Sequence, residues 1–341
     1  PYKIKLKKDA DLLANFRASN SAINYTNKEW LLLAPNINNS WGTLTEESEI
    51  LYTPIGFTVA NALDFDWKPS YQFVTLYLNN DYQGIYILCE PTSKGNGFGE
   101  TQSRYKIDDD GFIMEKDCYW RNEDLVIETP FSADNASQFT FKYPDTDDIS
   151  NESESYIYIR DYLMNLENKI LNKDITCFDL IDRESLARWL LAQDIIVNED
   201  SLGSNIFLYK KDSSAYTKLH MGTIWDYGLS LKDPNALASI RIDPNFYYKH
   251  ILELDNFNSD IKAIWESSKV NLLNAVSVCL NSFDTTLYDK ILQIESKRWE
   301  FTYISIENQI SAMSDFFATH TVYLNNNLFI IDFLFLKKSN K

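Results

Sequence analysis

In "YKIKL" (residues 2–6) polar and apolar residues alternate at period two, the pattern of a half-buried strand with Lys3 and Lys5 on one face and Tyr2, Ile4 and Leu6 on the other. "ADLLANF" predicts a short helix and "EWLLLA" a compact apolar segment. Residues 44–63 read as a helix with Thr45 near its start and Pro54 at a kink or second start. Two β-rich runs follow, "YQFVTLYL" and "GIYILCE", separated by the turn residues of "NNDYQ", and predict a hairpin. Residues 91–104 are rich in Gly and Ser and read as a linker or mobile loop. The sheet-like segments "GFIMEKDCYW", "DLVIET" and "QFTFKYP" come next. A long amphipathic helix then runs to about residue 172, with Ile159, Leu163, Leu166 and Ile170 on its apolar stripe. Helix 182–197 precedes two strand-like segments, "NIFLYKK" and "TKLHMGTIWDYG", and beyond residue 245 the pattern is mainly helical to about 326.

This order predicts an α+β protein with a β-rich first lobe (1–90), a hinge loop and β insertion (91–150), and a mainly helical second lobe (151–341). The apolar run "LFIIDFLFL" (328–336) is too short for a membrane span and carries Asp332, so it reads as a buried terminal strand or helix. The first residues, "PYKIKLKK", look like the middle of a strand, which suggests a trimmed upstream segment.

The net charge of -17 over 341 residues opposes nonspecific binding to nucleic acid or anionic membranes and favours a cationic partner. Four cysteines without CxxC spacing and without a neighbouring His read as free core thiols rather than a zinc site. No G-x-S-x-G elbow accompanies the three histidines, which disfavours a Ser hydrolase. "GNGFG" (95–99) lacks the following helix with Lys and Ser/Thr that a phosphate-cradling loop needs, and "DDDG" and "DTDD" read as solvated turns.

One constellation carries chemistry. Asp200 and Asn205 stand five positions apart in "DSLGSN", and one predicted hairpin separates them from Asp226 in "IWDYGLSL". Phosphoryl transfer of the kinase type uses this D-x-x-x-x-N spacing followed by an Asp. One carboxylate receives the proton of the attacking hydroxyl, and an amide and a second carboxylate hold magnesium against the triphosphate. A basic residue on a first-lobe strand would complete the phosphate grip, and Lys3 and Lys5 are candidates.

The whole chain resembles the CotH family of atypical, spore-coat-type protein kinases. The resemblance rests on "PYKIKLKKDADLL", "WLLLA", "FVTLYLNNDYQGIYILCE", "FTFKYPD", "NEDSLGSNIFLYK" and "IWDYGLSL", in that order, and on the tail "ISIENQISAMSDFFATHTVYLNNNL". It implies a two-lobed kinase-like fold, ATP and Mg2+ as cofactors, and Ser/Thr hydroxyls of a basic, Ser-rich protein substrate as acceptors. Asp200 would be the catalytic Asp and Asn205 and Asp226 the magnesium ligands. Lys3, Lys5, Glu90 and Lys142 would be nucleotide-binding, Glu90 where the chain crosses between lobes. It also implies an exported, cell-surface or spore-coat location. The chain departs from the family pattern at Tyr52, where an Arg is usual, and at Gly228, where W-D-x-D has a second Asp. An alternative function is therefore a weak or inactive kinase-fold scaffold or binding module.

Overall fold

The structure is a computed structural model of the chain and describes residues 2–16, 26–35, 49–92, 107–132, 137–241, 250–252 and 254–328. Strands β1 (Tyr2–Ala10), β2 (Asn27–Leu33), β3 (Tyr71–Leu78) and β4 (Asp81–Cys89) form an antiparallel sheet in the order β1-β2-β4-β3. The β3–β4 turn closes on Asn79 and Asn80 alone, with φ of 51° and 66°. A tight hairpin turn of the I′ kind requires two left-handed residues, which asparagine tolerates better than most. Asp81, Tyr82 and Gln83, read from the sequence as turn, therefore belong to β4.

The second sheet has the order β6-β7-β5-β8-β9, from β5 (Phe112–Asp117), β6 (Val126–Ile127), β7 (Gln138–Tyr143), β8 (Ile206–Lys210) and β9 (Leu219–Met221). Central β5 is antiparallel both to β7 and to β8, so the strands of the middle segment and the hairpin between Asn205 and Asp226 share one sheet.

Helix α1 (Tyr52–Ala62) carries Pro54 in its first turn, where the missing N–H breaks no helical bond, so Pro54 marks a start rather than a kink. Glu49–Leu51 before it is a 3-10 turn, and Thr45 lies outside the described residues. Helix α2 (Glu154–Leu171) buries the predicted stripe of Ile159, Leu163, Leu166 and Ile170. Helix α3 (Arg183–Ile196) is capped by Asp182, which accepts from the Ser185 amide at 2.7 Å. After the single turn α4 (Ala238–Arg241) come α5 (Phe257–Asn281), α6 (Thr285–Trp299, capped by Asp284) and α7 (Ile306–Asn327, capped by Ser305).

The main core gathers α1, α3 and α5 with one face of each sheet, including Ile85 and Ile87 of β4 and Phe112 and Met114 of β5. A smaller core of Leu13, Trp30, Leu32, Tyr86 and Leu88 covers the other face of the first sheet. "ADLLANF" forms only a 3-10 turn at Ala14–Phe16, and "EWLLLA" supplies most of β2. Of the four free thiols, Cys89 and Cys177 are buried and Cys279 is half-buried. Cys118 corrects the core reading: it lies in the turn after β5 and is exposed. Residues 329–336 of the terminal apolar run and the "GNGFG" loop lie outside the described residues. Among the described residues no helix is long and apolar enough to cross a membrane.

Candidate active site

Helix α3 ends at Val197, whose left-handed φ of 48° turns the chain sharply into a 3-10 turn, Glu199–Leu202, that carries Asp200. Asn198 at this corner is fully buried, and its Nδ2 donates to the carbonyl of Asp226 at 3.0 Å. The Leu231 amide donates to the Ile196 carbonyl at 2.7 Å, and the Ser201 hydroxyl to the Asn198 carbonyl at 2.7 Å. The turn holding Asp200 and the loop holding Asp226 are thus laced together by the Asn198 side-chain amide and by the Leu231–Ile196 backbone bond, although 26 positions part the two residues in the sequence.

Asp226 is exposed, at a left-handed φ of 54°, and its Oδ1 accepts from the Gly228 amide at 3.2 Å. The donor is the backbone N–H of Gly228, which any residue but proline would supply, so this bond is independent of the second Asp that the family pattern has at this position. The flanking rings hold this loop in place. Trp225 contacts Phe207 of β8 (centroids 6.4 Å) and Phe57 of α1 (6.0 Å), while Tyr227 is buried and donates to the Ile224 carbonyl at 2.8 Å. Asn205 is half-buried, has φ of 59°, and immediately precedes β8. Ser204 beside it joins this loop to the end of β5: the Cys118 amide donates to its hydroxyl at 3.2 Å, and the hydroxyl lies 3.5 Å from Asp117 Oδ1.

The four nucleotide-binding candidates separate. Lys142 is on β7, in the same sheet as β8, and its ammonium lies 2.7 Å from Glu115 of β5. The lysine side chain is 25% exposed and the glutamate 10%, so this cation is braced yet reachable. Burial raises the Glu115 carboxyl above the ordinary range, Lys142 opposes that rise, and Asp117 and Glu123 reinforce it. Lys3 and Lys5 are exposed on β1, at the edge of the other sheet, with Lys3 paired to Glu29 at 3.1 Å. Glu90 is fully buried; its carboxylate accepts from the Trp67 indole and the Ser70 amide, both at 3.4 Å, so the side chain anchors the crossing rather than facing it.

A second Lys–Glu pair occupies the opposite face of β5. Lys116 and Glu167 of α2 approach to 3.6 Å with 1% and 0% side-chain exposure, and the ammonium lies over the rings of Phe131 and Phe139. Burial pulls this lysine below its ordinary range despite the glutamate. At 1% exposure its ammonium is packed inside the protein, in contrast to the reachable Lys142.

Asn198, Glu115 and Asp117 were missed from sequence. Period-two alternation in "FIMEKD" places Glu115 and Asp117 on the face opposite Phe112, Met114 and Lys116, and that signal could have found them. The donors fit a hard divalent cation in kind, an amide oxygen at Asn205 and a solvent-facing carboxylate at Asp226. Among the described residues no group of three His, Cys, Asp or Glu side chains is already gathered for a metal, and the Asp200 side chain lies outside that description. A sequence profile of the CotH kinase protein family matches residues 57–324. No curated protein matches the chain.

Proposed function

Because the chain belongs to the CotH kinase family, we propose that it transfers the γ-phosphoryl group of ATP to a Ser or Thr hydroxyl of a protein substrate with Mg2+. The observation that carries this reading is the lacing of the Asp200 turn to the Asp226 loop through Asn198, with Asn205 at the start of the shared hairpin. Three residues of the required types thereby belong to one connected unit.

In this reading Asn205 and Asp226 hold magnesium, which neutralises charge on the phosphates when bound. The Lys142 ammonium, braced by Glu115, grips phosphate oxygens, and Asp200 accepts the proton of the attacking hydroxyl. The new O–P bond forms at that hydroxyl oxygen as the bond to the β-phosphate oxygen breaks, and ADP leaves. Lys3, Lys5 and the Glu90 side chain fall outside the proposed grip. A surface of net charge -17 favours a cationic, hydroxyl-bearing substrate, and an exported or coat-associated location would suit such a role.

Thermal shift tests the reading. Millimolar ATP with Mg2+ should raise the melting temperature of the wild type, and ATP with EDTA should not. No rise under any nucleotide condition would remove the reading; a rise without phosphoryl transfer would favour a binding module.

A further inference from the structure

The turn end of the β3–β4 hairpin meets a buried carboxylate from the other end of the chain. Glu295 of α6 is 1% exposed. Its Oε1 accepts from the Tyr82 hydroxyl and its Oε2 from the Trp299 indole at 3.2 Å. Gly84 has a φ of +117°, and a Cβ built there would lie 2.7 Å from Glu295 Oε2, so only glycine both adopts this backbone and leaves room for the carboxylate. Arg298 reinforces the contact: it reaches Asp81 at 3.8 Å, and its guanidinium lies 5.7 Å from the ring centroid of Tyr82 and 5.1 Å from that of Trp299. At the far end of the same strand, Glu90 is fastened to Trp67 and Ser70. Strand β4 is therefore tied near both ends by buried carboxylates.

We propose that Glu295 is a strap that fixes the β3–β4 hairpin to α6, so that the four-stranded sheet and the C-terminal helices behave as one body. The hairpin is then a fixed support and not a flap that closes over a ligand. The spacing Tyr82-x-Gly84 gains a physical meaning: the tyrosine supplies the donor and the glycine the opening for one carboxylate. A mobile flap needs a tip without lasting contacts, and this tip carries a hydrogen bond to a desolvated acceptor, an ion pair and a cation–π contact. The statement about ligand closure rests on the nucleotide reading above; the strap does not.

Hydrogen exchange on the full chain tests both parts. In Glu295→Ala the amides of residues 79–84 should exchange at least about tenfold faster than in the wild type, while those of β5 and β8 keep their rates. Tyr82→Phe, which keeps the ring and loses only the donor, should give a smaller rise confined to the same residues, and it carries the test if the alanine variant does not fold. Wild-type rates at 79–84 in the folded variants would overturn the strap. In the wild type, ATP with Mg2+ should slow exchange at 198–206 and 226–231 and leave 79–84 unchanged; slowing at 79–84 would make the hairpin a flap. If nucleotide slows no segment, the nucleotide reading fails and the variants still decide the strap.

Discussion

Replacing Asp194 by Asn should stabilise the protein at pH 8 and hardly change it near pH 4. Asp194 lies in the last turns of α3 and is 1% exposed; it accepts from the Ser239 amide at 2.7 Å and from the Ser239 hydroxyl at 2.9 Å. Burial pushes its carboxyl from 3.8 up to about 7, with the Ser239 bonds opposing the rise. In the unfolded chain the group ionises near 3.8, whereas in the folded protein it keeps its proton to about 7. The unfolded state is therefore favoured progressively as pH rises from about 4 to 7, and the cost is constant above that. The gap corresponds to about 4 kcal/mol at pH 8 and to little at pH 4. Asn keeps the shape, accepting from the Ser239 amide and donating to the Ser239 hydroxyl, without the charge. His320, which burial holds below its ordinary range and whose ring nitrogens lie 2.9 and 2.8 Å from the Pro234 and Asp194 carbonyls, is common to both proteins and largely cancels in the difference. Urea unfolding of the two proteins at pH 4, 6 and 8 should show the variant gaining stability over the wild type with pH, by a few kcal/mol in all. A flat difference, or a variant less stable at pH 8, would refute the reasoning.

The two lysines of the second sheet should differ in activity more than in stability. Lys142→Met should lower phosphoryl transfer by about a hundredfold or more, and it should also cost about 1–3 kcal/mol in urea unfolding, because Glu115, with 10% side-chain exposure, loses the cation that opposes its burial. Lys116→Met should cost about 3 kcal/mol or more by leaving Glu167 buried without its cation, with the active fraction retaining its KM for ATP. Asn198→Ala removes the donor that meets the Asp226 carbonyl and should cost about 1–3 kcal/mol with a fall in Mg2+-dependent activity, read by denaturant titration and steady-state assay.

Local patterns in the sequence carried a good part of this architecture. The β-rich composition of "FVTLYL" and "GIYILC" and the i, i+4, i+7, i+11 stripe of α2 are local signals, and a strand pair and a helix appear where they place them. The α+β class and the CotH family follow likewise. What was not legible depends on pairings between distant segments. β5 meets β8 across some ninety residues, so nothing local reveals that Lys142 shares a sheet with the strand that follows Asn205 while Lys3 and Lys5 sit on an edge of the other. Burial of Glu90 was also hidden, because a Glu after an apolar strand reads as exposed until Trp67 and Ser70 are seen to meet it.

The central claim is phosphoryl transfer at the unit of Asp200, Asn205 and Asp226, and transfer of labelled γ-phosphate from ATP tests it most directly. Wild-type protein with Mg2+ and a basic, Ser-rich acceptor protein should incorporate label at Ser or Thr, and Asp200→Asn and Asp226→Asn, folded as judged by circular dichroism, should each reduce incorporation by about a thousandfold or more. Incorporation at wild-type rates in either variant, or none in the wild type with any acceptor or by autophosphorylation, would contradict it.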